Sequence, residues 1–324
     1  MSNSIATEAD QLKGLRSAKL LVARLAELEN GSHAVLFYGA EGAGKSLLAR
    51  RLAAAWTCTG EPPRPCGACR PCQAMAKGTL VDLLMIDPRG ASRNIRRLGA
   101  IVPDPTPPRE SEEPQGPPLT DFLRTPPLIA RSKVVIFDHA DRLIPDASHA
   151  LLRILEEPPT YARLILITDQ PGALAPTVLS RCLAICCELP SGDEINGLAG
   201  ELEPELIALA GGSPGVLARI GELADWYRSL LTFAKNLLGR PAAQALVASE
   251  EFDALCDELE ASGTGGSRAA KTAALGALAD ALKTIGTPPE WPVMVAETHR
   301  RIQRNAASGI AFDALFVRLL VDRL

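Results

Sequence analysis

LFYGAEGAGKSLLA, Leu36 to Ala49, runs from an apolar segment through a glycine-rich turn into helical spacing. Its centre, GAEGAGKS from Gly39 to Ser46, satisfies the pattern G-x-x-x-x-G-K-[ST] in full. Glycines such as Gly39, Gly42 and Gly44 let backbone N–H groups turn inward around a polyphosphate, and Lys45 adds a point charge for the outer phosphates. Ser46 is placed to bind Mg²⁺, and the helix that follows directs its positive end at the anion. The run HAVLFYG before it and KSLLARRLAAAW after it give the strand, loop and helix order that a phosphate-binding loop requires.

A loop of this kind works with an acid at the end of a second buried strand. Asp138 in KVVIFDHAD fits, holding Mg²⁺ directly or through water; a helix-capping aspartate is the plain structural alternative. Thr168 ends the apolar run LILIT, where its hydroxyl could sense a terminal phosphate or simply close a strand. Arg181 in LSRC follows a polar-ended helix, and its two readings are a surface arginine and one that reaches a phosphate held by a neighbouring protein.

Twelve residues beyond the phosphate loop lies a different signal, CTGEPPRPCGACRPC, with Cys58, Cys66, Cys69 and Cys72 spaced x7, x2 and x2. Four thiolates satisfy tetrahedral Zn²⁺ and leave no open position for a substrate, so a metal here is structural. The remaining cysteines differ. Cys182, Cys186 and Cys187 lie in or beside an apolar strand and Cys256 on a helix face, where they read as small buried hydrophobes.

Composition narrows the class. The chain has 324 residues, enough for two or three domains, and a formal net charge of −4, which gives no general attraction to nucleic acid. Aromatic residues are only 4%, against a protein that stacks single-stranded bases. There is no signal-peptide pattern and no apolar run approaching the roughly 20 residues of a membrane span. The expectation is a soluble, cytoplasmic protein with no membrane partner, whose thiols are reduced or metal-bound.

Along the chain, residues 8–29 read as a helix, and HAVLFYG, VDLLMID, KVVIFDHAD, ARLILITD and LAICCEL as five strands. ASHALLRILEEPP is a helix stopped by two prolines. Continuously apolar strands alternating with helices imply a parallel sheet covered on both faces. After about residue 190 the pattern changes to short helices around GGSPG (Gly211 to Gly215) and then to long ones, with Leu223, Trp226, Leu230, Ala234 and Leu237 on one face. ASGTGGS (261–267) and GTPPEWP (286–292) mark breaks between helices. The proline- and acid-rich stretch 103–118 reads as a surface insertion with no assigned role.

Taken together, LFYGAEGAGKSLLA, the cysteine module, KVVIFDHADRL, ALLRILEEPP, LILITDQPGALAPTVLSRC and GGSPG resemble the clamp-loader subunits of bacterial DNA polymerase III, a branch of the AAA+ proteins. The resemblance covers residues 8 to about 220 closely and the helical remainder loosely. It implies an α/β AAA+ core over 1–190 carrying a zinc module at 57–75, a small helical lid over 191–222, and a C-terminal helical collar over 223–324 through which subunits oligomerise.

Two branches of that family compete. Motor subunits, gamma or tau, carry a glutamate after the strand-ending aspartate and an arginine in the GGSPG region, whereas this chain has His139 and, about where the arginine falls, Gly215. The wording GSPG, LEEPP and SRC looks like the delta-prime branch. That resemblance implies a stator in a hetero-pentameric ring with gamma/tau and delta, offering Arg181 to a neighbour's ATP while the ring places the sliding clamp on primed DNA. The intact phosphate loop departs from many stators and leaves ATP and Mg²⁺ binding open; the cysteine spacing is also one residue shorter than the usual pattern.

Overall fold

The computed structural model describes residues 15–28, 31–88, 95, 99–104, 116–263, 266–303 and 306–321. The first part of the expected helix 8–29 and residues 105–115 of the expected insertion lie outside them. Two compact units divide the chain, one formed by residues up to Ile195 together with Ser213–Gly215, the other by Asn196–Gly212 and Val216–Leu324.

In the first unit five parallel strands, β1 (Ala34–Tyr38), β2 (Leu83–Ile86), β3 (Lys133–Phe137), β4 (Ala162–Thr168) and β5 (Leu183–Cys186), stand in the order β2-β3-β4-β1-β5. Every expected strand is present. The inner strands are apolar on both pleat faces because each face has its own core. Val35, Phe37, Val134, Ile136, Ile165 and Ile167 point into one cluster with α1 (Arg16–Glu27) and α2 (Lys45–Thr57). Ala34, Leu36, Val135, Phe137, Leu164 and Leu166 point into the other. That second face is covered by α5 (Pro145–Glu156), which follows α3 (Arg70–Ala76) and the short α4 (Leu119–Phe122) in the chain.

Helix α2 lies close to the sheet because its buried side is largely Ala49, Ala53 and Ala54 with Leu48 and Leu52. Trp56 at its end donates its indole N–H to the carbonyl of Leu25, tying α2 to α1. Asp82 is buried before β2 and accepts the N–H groups of Leu128, Ile129 and Ala130 at 2.8–2.9 Å, which fixes the approach to β3. β5 has a neighbour on one side only, so Leu183, Ala184 and Cys186 are exposed and Ile185 alone is buried. Cys186 therefore departs from the expected buried hydrophobe: it sits on the open face of an edge strand. Cys187 and Cys256 are buried, and Cys182 is half-buried.

After β5, which α6 (Pro176–Leu179) precedes, come α7 (Gly192–Asn196), α8 (Pro204–Leu209), α9 (Pro214–Glu222), α10 (Ala224–Leu237), α11 (Ala245–Ala261), α12 (Ser267–Thr284), α13 (Glu290–Gln303) and α14 (Ser308–Val321). The helices break between Ala261 and Ser267 and between Thr284 and Glu290, so Glu290–Pro292 of the second expected break belong to α13 instead, and a further break occurs at Gly239–Pro241. Trp226, Leu230, Ala234 and Leu237 are buried along α10. The second unit closes around Phe233, Phe252, Phe312 and Phe316, whose ring centroids lie 5.1–5.8 Å apart. Trp56, Trp226 and Trp291 are also buried, so these rings serve the cores. Among the described residues no helix is long and apolar enough to cross a membrane.

Candidate functional site: a phosphate loop, an exposed arginine and a four-cysteine cluster

The phosphate loop opens where three strands end side by side. Tyr38, the last residue of β1, is in register with Thr168 of β4 and Cys186 of β5. Ligand crevices of α/β sheets lie at such carboxyl ends. Gly39, Gly42 and Gly44 have φ of 144°, 70° and 95°. Gly39 is confined twice over, because a Cβ there would overlap the carbonyl oxygen of Cys187. Gly44 caps α2 without a side-chain hydrogen bond, so no side chain of the cap covers the first-turn amides of the helix, an arrangement that fits an anion.

Within this loop the lysine already has partners. Lys45 is 6% exposed and donates to the carbonyls of Gly39 at 3.0 Å and Ala40 at 2.6 Å, and its ammonium forms an ion pair with Asp169. All three contacts of the ammonium are thus made within the protein. Ser46 is exposed at the second position of α2.

The acids near these strand ends each have a partner of their own. Asp138 leaves β3 half-buried and accepts the N–H of His139 at 3.1 Å. His139 is left-handed, with φ 49°, a conformation that histidine tolerates better than branched residues do. Thr168 is 1% exposed; its hydroxyl donates to Asp141 at 2.8 Å and accepts the N–H of Gln170 at 3.0 Å. Asp141 also pairs with Arg142 at 3.4 Å. The segment Ser213–Gly215 belongs to the same unit. Ser213 donates its hydroxyl to the Glu41 carbonyl at 2.8 Å, and the Gly215 N–H donates to the Gly42 carbonyl at 2.9 Å. A Cβ built on Gly215 would stand 2.9 Å from both the Cα and the carbonyl oxygen of Gly42.

Arg181 lies between α6 and β5, 35% exposed. Its guanidinium donates to the Thr177 carbonyl at 3.0 Å and to Glu156 Oε1 at 2.6 Å.

The four cysteines converge as their spacing suggests. Cys58 follows α2, Cys69 caps α3 and Cys72 lies on it, and all four sulfurs are within 4.8 Å of one another. Cys58 and Cys69 Sγ are 3.8 Å apart. A tetrahedral zinc–thiolate site with bonds of about 2.3 Å has edges of about 3.8 Å, so the cage fits such an ion. Backbone N–H groups of Gly60 and Cys66 point at Cys58 Sγ, and that of Cys69 at Cys66 Sγ, each at 3.4 Å. A Cβ on Gly60 would come within 2.6 Å of Cys66 Sγ, so only glycine allows the turn.

The protonation of these thiols is split. Burial opposes ionisation of Cys69, but the N–H groups of Cys72 and Thr59 outweigh it and bring the thiol down to about 6. Burial pushes Cys72 and Cys58 up. Packed sulfurs that resist shared ionisation are the environment in which a dication is most stabilising. Arg64, inside the module, hydrogen-bonds through its N–H to Glu27 at 2.9 Å and so joins it to α1.

Several of these residues carry no motif signal. Asp169, Asp141 and Glu156 become visible only because the fold sets them against Lys45, Thr168 and Arg181. All three lie inside segments quoted for other reasons, Asp141 in KVVIFDHAD, Asp169 in ARLILITD and Glu156 in ASHALLRILEEPP.

Residues 16–189 match the sequence family described as DNA polymerase III, delta subunit. The chain is 35% identical over 202 residues to the DNA polymerase III subunit delta-prime of Pseudomonas aeruginosa, covering 58% of this chain and 56% of that protein. It is 32% identical over 296 residues to the DNA polymerase III subunit tau of Escherichia coli, covering 89% of this chain and 39% of that protein. The matches thus span about half or less of the length of these curated relatives. Among solved structures, a gamma subunit-related protein of Thermotoga maritima superposes with a TM-score of 0.53 at 20% identity, covering 93% of this chain and 98% of that one, which is a likeness of fold.

Proposed function

The chain belongs to the DNA polymerase III delta-subunit family, and from that premise we propose that it is a delta-prime-type stator of the replicative clamp loader. In this reading it joins gamma/tau and delta subunits in a hetero-pentameric ring in the cytoplasm. The collar, residues 223–324, is the ring contact, and the AAA+ core and lid are 1–190 and 191–222. The ring opens the sliding clamp and sets it on primed DNA. Arg181 acts in trans on the ATP of an adjacent motor subunit, where a positive group opposite the terminal phosphate stabilises charge that develops during transfer.

The observation that carries the stator reading is the seat of Gly215 on Gly42. Motor subunits of the family place an arginine about there, and the 2.9 Å approach to the loop backbone leaves no room for any side chain. The Lys45–Asp169 ion pair and the Thr168–Asp141 hydrogen bond support weak or absent turnover by this subunit, since both polar groups are already engaged. If nucleotide enters, Gly39, Gly42, Gly44 and Lys45 hold its phosphates, Ser46 and Asp138 hold Mg²⁺, and Thr168 faces the outer phosphate. The zinc module, through Cys58, Cys66, Cys69 and Cys72, has a structural role. Bound there, zinc supplies cross-linking of the module rather than chemistry on a substrate.

One observation favours a motor subunit of the gamma/tau type instead: the phosphate loop is intact, with glycines in the conformations phosphate binding needs. Steady-state ATP hydrolysis by the isolated chain decides between them. The stator reading expects background turnover that Lys45→Ala leaves unchanged. Brisk turnover abolished by Lys45→Ala would establish the motor.

A further inference from the structure

We infer that Glu156 is the positioning residue for Arg181, holding its guanidinium in the orientation in which it meets a neighbour's phosphate. The inference rests on the trans-acting role proposed above for Arg181. Glu156 is the last residue of α5, which Pro158 and Pro159 prevent from continuing. A carboxylate at the carbonyl end of a helix meets the negative pole of its dipole, so the helix itself gives no reason for an acid there. Glu157 follows, which makes the local charge still less favourable.

The reason lies across the surface. Glu156 Oε1 accepts a hydrogen bond from Arg181 Nη2 at 2.6 Å, the short, charge-assisted kind. Arg181 Nη1 donates to the Thr177 carbonyl at 3.0 Å and contacts Ser180 Oγ at 3.4 Å. Two ends of the guanidinium are therefore fixed, one by backbone and one by Glu156. Its Nε–H and one Nη2–H have no partner among the described residues. An arginine side chain has several rotatable bonds, and holding it before a partner arrives removes ordering that would otherwise be required in the reacting complex.

With Arg181 35% and Glu156 49% exposed, the pair alone adds little to folding stability. That separates positioning from structural support.

The test is a double-mutant cycle in the complete loader, assembled from the full-length chain with the partner subunits of its own replisome, clamp, primed template and ATP. Size-exclusion chromatography confirms assembly of every variant. Glu156→Ala is expected to lower kcat for DNA-stimulated hydrolysis about three- to fivefold with KM for ATP unchanged. Glu156→Gln, which keeps an acceptor oxygen, recovers part of the loss. In an Arg181→Ala background Glu156→Ala changes nothing further. Unchanged or faster turnover in Glu156→Ala, or an equal loss in the Arg181→Ala background, overturns the inference while the role of Arg181 stands. If Arg181→Ala itself leaves turnover unchanged, the trans-acting reading fails, and the positioning role falls with it. Should Glu156→Ala not assemble, Glu156→Gln alone carries the comparison, and full activity in it overturns the inference.

Discussion

Gly215 donates its N–H to the carbonyl of Gly42 with the two backbones so close that a methyl group on Gly215 would sit 2.9 Å from the loop. The residues are far apart in sequence, as are Ser213 and Glu41 beside them, which are 172 positions apart. Gly215→Ala must therefore push two backbone segments apart. A loss of about 1–3 kcal/mol is expected, the range for overpacking a close contact, read as a lowered midpoint in chemical denaturation. Gly276, mid-helix with open space around it, is the control: Gly276→Ala should not destabilise.

Lys45 faces a choice between Asp169 and a phosphate. Asp169→Asn removes the competing charge while keeping the shape, so affinity for a fluorescent ADP analogue should rise, by about three- to tenfold. Lys45→Ala should reduce that affinity in either background. Equal affinity in the parent and Asp169→Asn would mean that the ion pair does not guard the loop.

The cysteine cage predicts a metal measurable without any activity. The chain as isolated should contain a single equivalent of zinc by mass spectrometry, lost in Cys58→Ser and in Gly60→Ala. Chelation should open the module to proteolysis, because its turns have few other restraints. Full zinc content in Gly60→Ala would contradict the fit of Cys66 against that position.

Thiol reactivity should separate the remaining cysteines. Burial pushes Cys182 up to about 11, and Cys187 and Cys256 up to about 12. The thiolate is the reactive form, so these three stay protonated and inert near pH 8 and would ionise only as pH rises toward those values. The folded chain holds these protons more tightly than the unfolded one, so the stabilisation is full below the ordinary thiol range and is lost as pH climbs from there to 11–12. Once zinc protects the cage, Cys186 on the exposed edge should be the site first labelled by a thiol reagent.

Asp82 is a buried acid of the first unit. Three N–H groups converge on its carboxylate in a buried position. Asp82→Asn turns an acceptor into a donor facing donors, and about 2–3 kcal/mol of stability should be lost, seen in thermal or denaturant unfolding.

What could be read from the chain beforehand follows the range of each signal. The phosphate loop, the five strands and the cysteine cage are written in contiguous stretches, because glycine spacing, apolar runs and ligand spacing act over few residues. Arg181 was marked by its neighbours in LSRC, and the structure brings it to the surface beside α6. The partners that tune these groups were hidden. Nothing near Asp169 says it will face Lys45, and nothing near Glu156 says it will face Arg181, since both contacts depend on strand order and helix placement. Cys186 was misread for the same reason: LAIC is apolar whether it runs through the middle of a sheet or along its rim, and only the missing neighbour of β5 exposes it.

Because the chain leaves the first unit at Ile195, returns for Ser213–Gly215 and leaves again, the two halves of this molecule cannot be parted by one snip. A fragment ending near residue 195 carries every strand of the described residues and yet arrives without Ser213 and Gly215, which tether the loop at Glu41 and Gly42. Whatever nucleotide behaviour such a truncated piece displays belongs to an untethered loop, and the intact polypeptide has to be studied to learn how the loop behaves in its own setting.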